Sequence, residues 1–302
     1  MSHAILVDLT ECVGCGACRD ACQQVHKFPE IENTKLDAQN FTTLRLCEDA
    51  EEGTETYVRQ MCQHCQDPAC ASVCLVGAIE KTADGAVTWD EGKCIGCRYC
   101  MLACPFDIPK YEWESGNPKV RKCTMCHQER HLAENAKVDN EGFVIDRNGD
   151  RIEIDGREIT ADDRDSIVSM TTNDDDDRAT ACSVACPTAA TLFGDRDELL
   201  AEAHARIKDN PDDYVPQVYG SKEVGGTSVF YLSNVSFESL GFYTKLDHEA
   251  LPQRTWNVLE KIPDIVVTAG VALGAVYWIT SRRDEVRRYE DEVKKQKANK
   301  HS

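Results

Sequence analysis

The chain has 302 residues, with 53 Asp and Glu against 34 Lys and Arg and a formal net charge of −19. So acidic a balance argues against nucleic acid as a partner, and the length allows one large domain or two small ones with enough core to fold. The 17 cysteines would suggest disulfides in a small secreted chain, but their spacing points to metal.

In chain order, residues 4–8 (Ala-Ile-Leu-Val-Asp) read as a short strand feeding a first cysteine run, Cys12, Cys15, Cys18 and Cys22. The same residues are too few for the apolar core of a signal peptide, so no export signal is expected there. Residues 40–46 and 55–60 read as two strands of a hairpin with an acidic turn at 48–53. The second run is Cys62, Cys65, Cys70 and Cys74. Residues 86–90 form another short strand and lead into the third run, Cys94, Cys97, Cys100 and Cys104 with Pro105. Strand and run together repeat the first copy at an offset of 82 residues, which marks duplicated units with short helices after each fourth Cys. The fourth run is split: Cys123 and Cys126, then 55 residues, then Cys182 and Cys186 with Pro187.

The third run reads C-x2-C-x2-C-x3-C-P. In such runs three closely spaced thiolates take three corners of a [4Fe–4S] cube, and the fourth Cys ligates the other cluster of a two-cluster fold. Gly96 lets the loop curl, because Gly reaches positive φ without a steric penalty. Pro105 ends the loop with a fixed φ and no amide donor. A zinc site is the alternative, but zinc takes four ligands in one group and gives no reason for a three-plus-one split. Sixteen of the 17 cysteines fall into the four runs, the number that four [4Fe–4S] clusters need. Cys47 is left over and reads as a free thiol that ligates nothing.

Residues 127–178 carry 16 Asp and Glu and 7 Lys and Arg, a net of −9. Around Asn148-Gly149, the segments 142–146 and 151–155 alternate as in a hairpin. Asp174–Asp177 reads as a solvated loop, since four consecutive Asp are not a calcium-ligand spacing. This stretch is expected to decorate the surface or to cover a partner. Asp195–Lys208 has helical periodicity through Leu199, Leu200, Ala203 and Ile207, and Thr227–Leu232 reads as a buried strand. Residues 251–264 form a lead-in suited to a membrane interface. Ile265–Ser281 holds no charged residue over 17 positions, the lower limit for a transmembrane helix; a buried helix of a soluble domain is the alternative. Tyr277 and Trp278 stand where an aromatic belt belongs. The basic tail 282–302 begins with Arg282 and Arg283 and places the C-terminus in the cytoplasm. Gly270 and Gly274 form a close-packing pair for a neighbouring membrane helix.

These features together resemble the four-cluster iron–sulfur subunits of membrane-bound respiratory oxidoreductases. The similarity is to the β subunit of formate dehydrogenase and the iron–sulfur subunit of quinone-linked nickel–iron hydrogenase. It covers about residues 4–283 and rests on the four cysteine runs, on Cys104-Pro105-Phe106-Asp107-Ile108-Pro109-Lys110, Cys123-Thr-Met-Cys126 and Gly225-Gly226-Thr227, and on the single C-terminal anchor. Two features depart from that pattern: the acidic insert is longer than in the formate enzyme, and Gln23 and Leu75 stand where Pro would follow Cys22 and Cys74. The resemblance implies an α+β fold of two ferredoxin-like units: an outer one from residues 1–60 and 110–250 and an inner one from 61–109. It also implies four crossed ligand sets. The first is Cys12, Cys15, Cys18 and Cys186; the second Cys22, Cys123, Cys126 and Cys182. The third is Cys62, Cys65, Cys70 and Cys104; the fourth Cys74, Cys94, Cys97 and Cys100.

The function that follows is an electron relay with no catalytic site of its own. It would join a molybdopterin or nickel–iron catalytic subunit to an integral membrane subunit that reacts with quinone. The chain would sit in the inner membrane with a single pass and its cluster domain on the periplasmic side, carried across by a partner with a twin-arginine leader. A terminal reductase fed by quinol, or a membrane-tethered assembly factor with structural clusters, are the competing readings. His64 and His127, beside the second and fourth runs, read as supporting or surface residues, because a catalytic base would need a partner that the sequence does not offer.

Overall fold

The computed structural model describes residues 2–29, 35–48, 55–132, 137–146, 148–174 and 177–300. The expected acidic turn after Glu48, Arg147 and the middle of the Asp174–Asp177 run lie outside them. Residues 1–252 and 253–302 are two separate compact units.

The first unit opens with β1 (His3–Asp8), α1 (Ala17–His26), β2 (Thr43–Glu48), β3 (Glu55–Gln60) and α2 (Ala69–Ser72). Then come β4 (Ile79–Lys81), β5 (Val87–Trp89), α3 (Tyr99–Ala103), the short pair β6 (Lys110–Tyr111) and β7 (Val120–Arg121), and α4 (His127–Arg130). The stretch before Cys182 holds β8 (Lys137–Val138), β9 (Val144–Ile145), β10 (Glu153–Ile154), β11 (Arg157–Glu158) and α5 (Ala161–Met170). The unit closes with α6 (Ala181–Val184), β12 (Thr191–Asp195), α7 (Arg196–Asp209) and β13 (Val229–Leu232).

Ala4-Ile5-Leu6-Val7 has no polar alternation, as expected of a strand covered on both faces. It is the central strand of a three-stranded sheet, antiparallel to β12 and parallel to β13. Ile5 and Val7 join Val229 and Tyr231 in the main core, whereas Ala4 and Leu6 join Phe230 and Leu232 beneath Leu199, Leu200, Ala203 and Ile207 of α7. Asp195 caps α7, accepting from the amides of Asp197 and Glu198, which satisfies donors that a helix start leaves free. Residues 40–46 and 55–60 do pair, as β2 and β3 over Thr43–Glu48 and Glu55–Gln60.

One arrangement occurs twice. β1 pairs antiparallel with β12 while α1 packs on α6; β4 pairs antiparallel with β5 while α2 packs on α3. The short helices do not follow the fourth Cys of each run, as the sequence suggested. They begin at or just before the third Cys and end at or near the fourth, except α1, which runs on to His26.

The acidic stretch is not a surface decoration. Leu132, Val144, Ile154, Ile159 and Ile167 form a hydrophobic cluster with Val25, Cys126 and Ala181. The expected hairpin around Asn148-Gly149 forms with short arms: Ile145 bridges Arg151, and the amides of Asp146 and Ile152 donate to the carbonyls of Asp150 and Val144. β9 also pairs with β8, and a second hairpin, β10 with β11, turns at Asp155-Gly156. The sequence had offered no helix here, because the apolar residues of α5 crowd its C-terminal end. Thr160 and Asp163 start it with a reciprocal capping box.

The second unit holds all but the first two residues of α8 (Leu251–Leu259) and then α9 (Ile262–Lys300), 39 residues. The stretch from Leu251 to Lys297 is long and apolar enough to cross a membrane, and none of its apolar window is buried within the protein. At 1.5 Å per residue α9 is about 58 Å long, roughly twice a hydrocarbon core, so only its apolar part matches a span.

Gly220 holds the turn before β13 at φ +94°, where an added Cβ would lie 2.2 Å from the Val229 carbonyl oxygen. We expect Gly220→Ala to destabilise the protein by about 2–3 kcal/mol. The control is Gly142→Ala, at φ +92° with no atom within 4 Å of the added Cβ. Thermal denaturation of both should show the larger loss at residue 220.

Candidate metal centres

The third and fourth cysteines of every run are four residues apart: Cys18 and Cys22, Cys70 and Cys74, Cys100 and Cys104, Cys182 and Cys186. Four residues are one helical turn, so each pair presents two sulfurs on one side, about 5–6 Å apart at Cβ. The turns are α1, α2, α3 and α6, and all 17 cysteines are free.

Around these turns the thiols gather in four sets. Cys12 and Cys18 lie by Cys186, and Cys12 also by Cys15. Cys22 lies by Cys123, Cys126 and Cys182. Cys65 and Cys70 lie by Cys62 and Cys104. Cys100 lies by Cys74, Cys94 and Cys97, and these four line one small cavity. The sets also adjoin in a row. Cys18 of the first is near Cys182 of the second, Cys123 of the second near Cys62 of the third, and Cys70 of the third near Cys100 of the fourth. Cys15 and Cys97, at the two ends of the row, are the exposed ones. Cys47 belongs to no set: it lies on β2, half-buried, its sulfur 3.9 Å from the Leu240 carbonyl oxygen.

The loops curl where the pattern demands it. Gly96 has φ +67°, and a Cβ there would meet the Pro118 carbonyl oxygen at 2.5 Å. The amides of Ala78 and Met125 donate to the sulfurs of Cys74 and Cys123, at 3.1 and 3.4 Å. Burial pushes the thiols of Cys22, Cys65 and Cys126 far up, those of Cys70 and Cys123 up to about 12 and that of Cys100 up to about 11. Cys186 is the opposite case: burial is outweighed by donors from Thr191, Thr188 and Ala190, and its pKa falls. Thiols so buried become thiolates only when a cation or metal centre supplies the counter-charge and displaces their protons.

Charged side chains penetrate between the sets. Arg59 on β3, 2% exposed, donates from Nε to Thr42 Oγ1 (3.0 Å) and from Nη1 to Thr191 Oγ1 (3.1 Å), with Cys182, Cys18 and Cys12 around it. Lys122, 3% exposed, donates to the carbonyls of Val87 and Cys123 and adjoins Cys70 and Cys104. His64 is fully buried, not a surface residue. The Val87 amide donates to its Nδ1 (2.8 Å), which leaves the proton on Nε2, an atom without a hydrogen-bond partner among the described residues. Burial, with Lys122 and Lys81 nearby, holds His64 neutral. His127 is half-buried and bonded to Asp84 at 2.9 Å. Nothing in the residue pattern marks Arg59 or Lys122, since a single cation outside a motif looks like any surface charge until it is seen to be buried.

Comparison with known proteins decides which metal group the thiols suit. The profile of a 4Fe-4S dicluster domain matches residues 54–140. The chain is 33% identical to a protein of Nitratidesulfovibrio vulgaris (strain Hildenborough), over 94% of its own length and 68% of that protein's. It is 30% identical to hydrogenase-2 operon protein HybA of Escherichia coli O157:H7, over 85% of this chain and 77% of HybA. It is also 30% identical to the nitrate-inducible formate dehydrogenase iron-sulfur subunit of Escherichia coli K12, over 76% and 67%. The chain belongs to this family of iron–sulfur subunits.

The residues of the iron–sulfur subunit fit such a group. The donor sets are all sulfur, and the orphaned Nε2–H of His64, between Cys62 and Cys65, is a donor of the kind that bound sulfide accepts. A second buried network lies beside Cys126. His26 Nδ1 is 2.6 Å from Asp155 Oδ2 and 3.3 Å from Glu129 Oε1. Burial disfavours charge on His26, but Asp155 and Glu129 outweigh it and push the pKa up to about 9. Burial pushes Glu129 up, whereas His26 keeps Asp155 low.

The raised His26 value means that the pair's contribution is full below the ordinary 6.5 and is lost as pH rises through about 9. The melting temperature should fall across that window, and the His26→Leu variant should lack the fall. At neutral pH that variant leaves Asp155 buried without its hydrogen-bond partner, with Arg121 and Arg157 nearby to offset part of its charge, an expected loss of about 3 kcal/mol.

Proposed function

We propose that the protein relays electrons within a membrane-bound oxidoreductase of hydrogenase or formate dehydrogenase type. One partner would be a nickel–iron or molybdopterin catalytic subunit, the other an integral membrane subunit that reacts with quinone. Each thiol set would hold one [4Fe–4S] cluster: Cys12, Cys15, Cys18 and Cys186; Cys22, Cys123, Cys126 and Cys182; Cys62, Cys65, Cys70 and Cys104; Cys74, Cys94, Cys97 and Cys100. Bound clusters supply one-electron chemistry. The first and second would share the outer unit (1–60 and 110–250), the third and fourth the inner one (61–109).

The observation that carries this reading is the row of sets with exposed thiols at its ends. A relay needs buried intermediate stations and two accessible ends. Exposed apolar side chains stand beside both ends: Val13 next to Cys12, and Leu75, Ile95 and Leu102 next to the fourth set. The helical turns keep neighbouring sets close, and the amide donors to Cys74 and Cys123 help to stabilise the thiolates that hold the group. The apolar part of α9 would anchor the protein by a single pass in the inner membrane. Eight Lys and Arg after Ser281 favour a cytoplasmic C-terminus, with residues 1–252 on the periplasmic side.

Iron and sulfide analysis of the anaerobically purified protein should give about sixteen of each, since each [4Fe–4S] centre takes four thiolates. Eight iron atoms or stoichiometric zinc would sink the reading. Cys97→Ser should remove one cluster signal from the EPR spectrum, and Cys47→Ser none. A reporter fused after Ser302 should be protected when intact spheroplasts are treated with protease, while residues 1–252 are cleaved; the opposite pattern inverts the topology.

A further inference from the structure

Arg and Lys are rarely fully buried without a carboxylate partner, yet Arg59 and Lys122 are 2% and 3% exposed. The hydrogen bonds of Arg59 go to the hydroxyls of Thr42 and Thr191 and to the Cys182 sulfur, and those of Lys122 to the carbonyls of Val87 and Cys123. Neither makes an ion pair with a carboxylate among the described residues. Dipoles orient such a cation but do not neutralise it, and an uncompensated buried charge is strongly unfavourable.

Their places are specific. Arg59 stands where the first and second sets meet, beside Cys12 and Cys18 of one and Cys22 and Cys182 of the other. Lys122 stands where the second and third meet, beside Cys123 of one and Cys70 and Cys104 of the other.

We propose that Arg59 and Lys122 are the built-in counter-cations of the cluster row, Arg59 for the first and second clusters and Lys122 for the second and third, each favouring the reduced form of its two neighbours. This rests on the four-cluster reading above. Reduction adds one electron and hence one negative charge to a centre. A cation fixed beside it in a medium of low dielectric stabilises the reduced state more than the oxidised one. A potential set in this way follows the charge and not the shape of the side chain.

The test is an EPR-monitored redox titration of the anaerobically purified full-length protein with its clusters, with iron counted in each sample. Arg59→Met should make two of the four waves at least tenfold harder to reduce, a drop of about 59 mV or more for a one-electron couple. Lys122→Met should do the same to two waves, one of them shared with the Arg59 variant, because the second cluster adjoins both cations. Arg59→Lys and Lys122→Arg keep the charge and should leave every wave in place. If a Met variant loses iron, its charge-keeping counterpart decides: four clusters with unmoved waves support the proposal. The proposal is overturned if four clusters are present and no wave moves, if all four move together, or if the charge-keeping variants shift as far as the Met variants. Fewer than four clusters in the wild-type protein would instead refute the four-cluster reading.

Discussion

A helical turn that carries two thiols into two different thiol sets is the constraint on which the rest of the first unit depends. It fixes the separation of neighbouring sets at a few ångströms, because two residues four apart cannot spread further along a helix. Four such turns, packed in pairs as α1 with α6 and α2 with α3, leave room for a row and for little else. The strands behave as spacers. β1 with β12 and β4 with β5 close each pair of turns from behind, which explains why elements of three to six residues suffice.

Burying so many thiols creates an electrostatic problem, which the protein meets from inside. The chain is acidic overall, yet Arg59 and Lys122 reach between the sets and Lys81 lies beside the third, with His64 kept neutral. Acids are buried too, Asp8, Glu129 and Glu223, but Arg59 and Lys122 are buried against thiols. That placement makes sense where the interior is to hold anionic centres, since a buried cation is tolerable only against a buried anion.

The long acidic insertion belongs to the same logic. Its apolar residues pack on Val25, Cys126 and Ala181, so it walls in the second thiol set, and two of its carboxylates, Glu129 and Asp155, turn inward. Asp155, on the β10–β11 hairpin, meets His26 of α1, tying the insertion to the helix that carries Cys18 and Cys22. An element that looks detachable in the sequence is thereby joined to α1 and its end by ion pairs, His26 with Asp155 and Glu129 and Lys27 with Asp163, and by a hydrophobic cluster.

The sequence by itself determined the cysteine runs, the internal repeat, the strand at Ala4–Asp8, the α7 helix and the apolar stretch at Ile265–Ser281. Each is local: a spacing, a period or an uncharged run carries it without reference to distant residues. The tertiary structure alone decided the rest. Cys186 comes beside Cys12 because β12 pairs with β1 across more than 180 residues of chain, a contact that no spacing encodes and that only the family resemblance had implied. The Asn148-Gly149 hairpin was legible, but not that residues 144–145 of its first arm would also pair with β8 and that Val144 would enter the hydrophobic cluster. Arg59 and Lys122 carry no sequence signal, because what distinguishes a buried cation from a solvated one is its surroundings, and those exist only once the chain has folded around them.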